Sequence, residues 1–87
     1  MGLYLVEHKQ REMSIDHLNA AQSAAIEMSW RFAAEGKLAR YVRTTLVPSE
    51  DRCLTLFEAT SAKLVQELHE AAQIPFDRIF EALELTA

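Results

Sequence analysis

The hydrophobic pattern of this chain changes period along its length, and the changes mark out six elements. Leu3-Tyr4-Leu5-Val6-Glu7-His8 is apolar on both faces until its end, the pattern of a central strand covered on both sides. From Leu18, the residues Ala21, Ala25, Met28 and Phe32 recur at the spacing of one helical face. Ser14 or Asp16 is placed to cap the start of that helix, and Gly36 to end it. Trp30 projects nearly opposite Phe32, with Ile26 and Ala33 beside it. A helix lying on one sheet therefore leaves a second apolar stripe without cover.

Two β-prone runs follow, Leu38 to Val47 and Arg52 to Ala59, joined by the turn-like Pro48-Ser49-Glu50-Asp51. A four-residue connection sets Val47 opposite Arg52, Thr45 opposite Leu54, Arg43 opposite Leu56 and Tyr41 opposite Glu58. One face of this hairpin then carries Val42, Leu46, Cys53, Phe57 and Ala59 with a Thr44/Thr55 pair, and is expected under the helices. The other carries Tyr41, Arg43, Thr45, Leu54, Leu56 and Glu58, a mixture of apolar and charged residues suited to association. A slip of one residue would exchange the two faces. Ser61 to Gln73 reads as a second helix with Leu64, Val65, Leu68, Ala71 and Ala72 as its apolar stripe, stopped by Pro75. Ile79 to Leu85 is a last strand, with Phe80, Ala82 and Glu84 on one side and Ile79, Glu81, Leu83 and Leu85 on the other. The order strand, helix, strand, strand, helix, strand predicts an α+β, ferredoxin-like βαββαβ sandwich: a four-stranded antiparallel sheet with both helices on one face.

Size and charge narrow the reading. Eighty-seven residues form one domain, spanning 1–87, with a thin core, which makes self-association worth weighing. The formal charge of -4 is poor equipment for holding a phosphate backbone, so no nucleic-acid partner is expected. A lone cysteine forms no internal disulfide, and no apolar run is long enough to span a membrane. A soluble, cytoplasmic protein without a membrane partner is the expectation.

The predicted topology gathers Glu7, His8, His17, Cys53 and His69 at one end of the sheet. Imidazole and thiolate suit nickel, zinc or copper, although none of these residues has the short spacing of a CxxC or HxxxH motif. Each has a plainer role beside that one. His8 can be a half-buried histidine bonded to backbone, His17 a surface residue of the first helical turn, and His69 a boundary residue of the second helix. Cys53 can be a small core hydrophobe and Glu7 an ion-paired carboxylate. A second cluster, Tyr41, Arg43 and Glu58 with Arg40 nearby, reads as a cross-strand ion pair at an interface or as an anion pocket. No serine, histidine and acid set, pair of facing carboxylates or glycine-rich phosphate loop can be assembled. Tyr41 alone does not make the aromatic face of an RNA-binding sheet.

Tyr4-Leu5-Val6-Glu7, Val47-Pro48-Ser49-Glu50-Asp51-Arg52-Cys53, Leu56-Phe57-Glu58-Ala59-Thr60-Ser61-Ala62 and Ile74-Pro75-Phe76-Asp77-Arg78-Ile79 together resemble a family of small ferredoxin-like proteins with nickel-binding members, long catalogued as a domain of unknown function. The resemblance runs from about Leu3 to Leu85. It implies a compact sheet with two helices, a homodimer formed through the open sheet face, and transition-metal binding in some members; it implies no particular reaction. This chain has Thr55 where many relatives carry a cysteine, and His69 alone where several have a histidine-rich end to the second helix. Three readings follow. The first is a metal-binding or metal-responsive protein, with nickel or zinc held by His8, His17 and His69 and completed by Glu7, Cys53 or a second subunit. The second is a dimeric enzyme with a pocket for a small organic substrate, and the third is an interaction module without chemistry.

Overall fold

The structure, a computed structural model, describes residues 1–9 and 14–86. Its elements run β1 (Gly2–Lys9), α1 (Ile15–Ala34), β2 (Ala39–Val47), a 3₁₀ turn (Pro48–Glu50), β3 (Arg52–Ala59), α2 (Ala62–Ala71) and β4 (Arg78–Ala82). Residues 10–13, between β1 and the start of α1, lie outside the described residues. The strands form one antiparallel sheet in the order β2-β3-β1-β4, the ferredoxin-like arrangement that the order of elements predicts. Among the described residues, no helix is long and apolar enough to cross a membrane.

Local chemistry sets the boundaries. The Ser14 hydroxyl accepts the His17 N–H and opens α1, and the Ser61 hydroxyl does the same for the Leu64 N–H at α2. After α1, Gly36 takes a φ of 79°, a left-handed conformation that costs glycine little. Gln73 does the same after α2 at 57°, and Pro75 bars any further turn of helix. Asp51 closes the 3₁₀ turn at 50° and returns the chain into β3.

The core lies between the helices and the inner sheet face. Val6, Phe57, Ala59, Val65 and Leu68 are fully enclosed, and Ala25, Phe32 and Ala39 nearly so. Register between β3 and β2 follows the predicted pairing from Val47/Arg52 up to Arg43/Leu56 and then departs from it. A β-bulge between Tyr41 and Arg43 inserts one residue, so Arg40 rather than Tyr41 stands opposite Glu58, and Tyr41 stands opposite Phe57. Tyr41 therefore belongs to the helix-covered face, where its ring meets that of Phe57 edge-on at 5.8 Å. Its backbone N–H donates to the buried Ser29 hydroxyl of α1 at 3.3 Å, and that hydroxyl donates to the Ala25 carbonyl. This link supplies the hydrogen bond that a bulged strand would otherwise lack.

The outer face has no helix over it. Rows such as Arg43, Leu56, Leu5 and Phe80 cross it from edge to edge, and Leu56 is nevertheless only 5% exposed. Four arginines and four glutamates meet there as Arg40–Glu58, Arg43–Glu84, Arg78–Glu7, Arg52–Glu7 and Arg52–Glu50 pairs. The expected Arg43–Glu58 pair is thus replaced, because the bulge hands Glu58 to Arg40. Glu84 follows β4 at one edge of the sheet, yet its partner Arg43 lies on β2 at the other edge. The last strand, predicted to reach Leu85, ends at Ala82, and a short arm without secondary structure follows it. That arm presents Leu83 and Leu85 to solvent at 89% and 98% exposure.

On the helix side, Trp30 stays 69% exposed on the rim of a groove of about 510 Å³ between α1 and β2, lined also by Ile26, Ala33, Leu38 and Val42. This is the second stripe that the sequence left uncovered. Since Phe57 is enclosed and Trp30 is not, Phe57→Ala should lower unfolding free energy by about 3–5 kcal/mol. Trp30→Ala should cost under about 1 kcal/mol. Urea unfolding of the two variants beside the parent measures both, and equal losses would contradict this description of the core.

Candidate functional site

Strand β1 alternates, so Val6 and His8 face the helices and Glu7 faces the other way. His8 stands opposite Cys53 on β3, and the buried His69 of α2 comes down onto the same region. The two imidazoles lie 5.7 Å apart between ring centroids. His69 also meets the edges or faces of Phe57 at 5.2 Å and Phe76 at 5.5 Å, so aromatic packing fixes its ring plane.

Backbone carbonyls fix the tautomers. His8 Nδ1 lies 2.6 Å from the Pro75 carbonyl oxygen and His69 Nδ1 lies 2.8 Å from that of Val65. A carbonyl oxygen only accepts, so in each ring Nδ1 carries the proton and Nε2 keeps its lone pair. Neither Nε2 has a hydrogen-bond partner among the described residues. Burial pushes both imidazoles below their usual pKa of 6.5. For His8, the Pro75 carbonyl and the charge of Asp77 oppose that shift. For His69, the Val65 carbonyl opposes it and His8 adds to it. Both rings are therefore neutral at pH 7.

These two histidines and Cys53 line a cavity of about 30 Å³ under α1, together with Tyr41, Thr44 and Thr55. Such a space holds a water molecule or a single ion, provided polar groups surround it. Hydroxyls continue away from it. Tyr41 Oη is 2.6 Å from Thr44 Oγ1 and accepts from Gln22 Nε2 at 2.9 Å, and Thr44 Oγ1 lies 3.3 Å from Thr55 Oγ1. Burial raises the Cys53 thiol above its usual pKa, with a hydrogen bond to Thr55 pulling the other way. At neutral pH it is a protonated thiol, and a ligand would have to displace its proton.

Two of the expected ligands do not line this cavity. Glu7, on the open side of the sheet and only 1% exposed, is clamped by Arg78 through Nε and a terminal nitrogen at 3.2 and 2.9 Å and by a terminal nitrogen of Arg52. Those two guanidinium groups hold its carboxyl below the ordinary value despite burial. It is a carboxylate already satisfied by two cations. His17 is exposed in the first turn of α1. Among the described residues, no three His, Cys, Asp or Glu side chains stand ready to hold one ion. Tyr41 leaves the proposed anion pocket for the inner cavity, and Arg43 and Glu58 take separate partners. Thr55, Thr44 and Tyr41 are cavity walls that the residue order did not announce. The Thr44/Thr55 pairing was a usable signal for the first two; the bulge concealed the third.

The architecture and its buried histidine pair define a ferredoxin-like domain with a small polar site between helices and sheet. Residues 4–82 match the family described as nickel responsive protein SCO4226-like, and the chain belongs to that family. The crystal structure of SCO4226 from Streptomyces coelicolor A3(2) has the same fold, with a TM-score of 0.76 over 98% of this chain and 99% of that one, at 23% identity. No curated protein matches the sequence.

The depressed imidazole pKa values carry a sign. The unfolded chain takes up protons near pH 6.5 while the folded chain resists them, so the histidines' contribution is intact above 6.5 and is lost as pH falls toward their folded values. Glu7, depressed from 4.5, adds a second loss only below that pH. Urea midpoints should be flat above about pH 7 and fall from 6.5 downward. The double variant His8→Asn and His69→Asn should lose the first slope and keep the second; an unchanged first slope would assign it to other groups.

Proposed function

We propose that this chain is a small metal-binding or metal-responsive protein whose ion, nickel or zinc, is taken by the His8 and His69 pair. The observation that carries the reading is two buried, neutral imidazoles whose Nδ1 protons are tied to backbone carbonyls. That arrangement leaves both Nε2 lone pairs without a hydrogen-bond partner among the described residues, in two side chains that line one cavity. Metal-ligating histidines are oriented in this way by a hydrogen bond from the other ring nitrogen. Cys53 is on the same wall but does not form a ready set of three with the two histidines, so the remaining donors would come from a shift of its thiolate or from a second subunit, and mixed nitrogen and sulfur donors suit nickel, copper and zinc. The family's description as nickel-responsive supports the same class of ion. When bound, the ion would supply a positive centre that orders α2 against β1 and β3. This chain's own residues set the tautomers, keep the rings neutral and exclude bulk water. An organic substrate does not fit this cavity, because enclosed ligand pockets usually offer about 300–1,000 Å³ and this one offers about 30 Å³; the groove of about 510 Å³ beside Trp30 is of that size, but neither histidine nor Cys53 lines it.

The reading includes a homodimer joined through the open sheet face. Its support is the row of Leu3, Leu5, Leu54, Leu56 and Phe80 on the side that neither helix covers. A twofold contact places the same patch on both subunits. Sedimentation equilibrium at tens of micromolar should return a dimer, and a monomer throughout would remove this part.

For the ion, isothermal titration of nickel and zinc is the test. His8→Asn and His69→Asn keep a donor for the Pro75 and Val65 carbonyls and remove Nε2, so each should weaken binding by at least about tenfold. His17→Asn should leave it unchanged. Affinity of the parent should hold at pH 6.5 and fall only as pH drops toward the depressed values of the two buried rings, where protons compete for the same nitrogens. No uptake by the parent, or equal effects at His17 and His69, would overturn the assignment.

A further inference from the structure

The histidine cavity offers an ion few donors and little charge. His8 and His69 are 5% and 1% exposed, and each ties its Nδ1 proton to a carbonyl, so one nitrogen lone pair per ring remains. The buried Cys53 is the third soft group on the wall. The hydroxyls of Tyr41, Thr44 and Thr55 also line the space, but they hydrogen-bond to one another, and Gln22 is spent on Tyr41. Among the described residues no carboxylate lines the cavity, although the charge of Asp77 reaches His8. A volume of about 30 Å³ has room for one ion and hardly any water beside it.

We infer that this cavity is selective for monovalent copper, Cu(I), taken by the imidazoles of His8 and His69, with Cys53 the only further soft donor on its wall. Coordination number is the first reason. Zinc is satisfied by four donors and nickel by four or more. Among the described residues no three His, Cys, Asp or Glu side chains stand ready for one ion, and the space does not admit the waters that would fill the empty positions. Cu(I) forms stable complexes with two imidazoles, or with two and a sulfur. Charge is the second reason. The desolvation cost of an ion rises as the square of its charge, so a divalent ion costs about four times a monovalent one of the same radius. Two neutral imidazoles do not offset it. If Cys53 joins as a thiolate, the Cu–S bond replacing the S–H bond and the proton leaving to water, the Cu(I) site becomes neutral while a divalent ion keeps a net charge. Softness points the same way, since thiolate donors select Cu(I) and imidazole accepts it. The family's description names nickel; the donors of this particular cavity favour copper.

Selectivity for Cu(I) presupposes that the histidine pair is an ion site, the reading proposed above, and the two can fail separately. The test uses the full chain, reduced and without oxygen. Cu(I) is partitioned between the protein and the coloured chelator bicinchoninate, and nickel and zinc are titrated calorimetrically at the same pH. The parent should take one Cu(I) per chain at least ~1,000-fold more tightly than either divalent ion. Its copper X-ray absorption edge should be that of a two- or three-coordinate Cu(I) centre. His8→Asn and His69→Asn should each weaken Cu(I) binding by at least ~100-fold, and His17→Asn should leave it unchanged. The parent's ion preference and its absorption edge need no substitution, so a variant that does not fold leaves the test intact. Nickel or zinc bound as tightly as Cu(I), a four-coordinate copper edge, or Cu(I) binding indifferent to both histidines would overturn the selectivity and leave the ion site to its own test. Cu(I) uptake without divalent uptake would sustain it and remove nickel and zinc from the reading above. No uptake of any of the three ions would overturn both.

Discussion

The structure depends most on the burial of the Phe57 ring. It projects from β3, a strand paired on both sides, and receives Tyr41 edge-on from β2 and His69 from α2. One side chain thereby joins three consecutive elements, β2, β3 and α2. In a domain whose core is thin for its size, a fully enclosed aromatic residue makes an outsized contribution to holding the helices on the sheet. The histidine site inherits its rigidity from this contact. His69 keeps its orientation because Phe57 and Phe76 flank it while the Val65 carbonyl takes its proton.

The two sides of the sheet solve the problem of buried polarity differently. Beneath the helices, polar groups are neutral: two imidazoles, a thiol and three hydroxyls, arranged around a cavity with room for a water or an ion. On the open side they are charged and matched, with Glu7 held between Arg52 and Arg78. A lone carboxylate so well covered would be costly, whereas one accepting from two guanidinium groups is stable without an apolar environment. Adjacent residues of one strand, Glu7 and His8, thus serve two unrelated surfaces.

The β-bulge links those surfaces. By inserting one residue before Arg43 it turns Tyr41 inward, where its hydroxyl joins Thr44 and Gln22, and gives Glu58 to Arg40. Arg43 is left to reach Glu84. The Ser29 hydroxyl, by accepting the Tyr41 N–H, fixes where the irregularity falls. This serine sits among apolar residues on α1, and its sequence neighbours give no hint that its partner lies on another element.

By itself the sequence determined the fold class, the inward direction of Cys53 and the pairing of Thr44 with Thr55, and it narrowed the first helix cap to Ser14 or Asp16. These follow from hydrophobic period, turn chemistry and strand alternation, which act over a few residues and leave a trace in residue order. It also grouped His8, His69 and Cys53 with Glu7 and His17 as candidate ligands, without distinguishing the three that share the cavity from the two that the fold sends elsewhere. Only the tertiary structure decided the face of Tyr41, the partners of Arg43 and Glu58, and the clamp on Glu7. Each of those depends on a contact between different elements, and a single inserted residue in one edge strand is enough to reverse the first two.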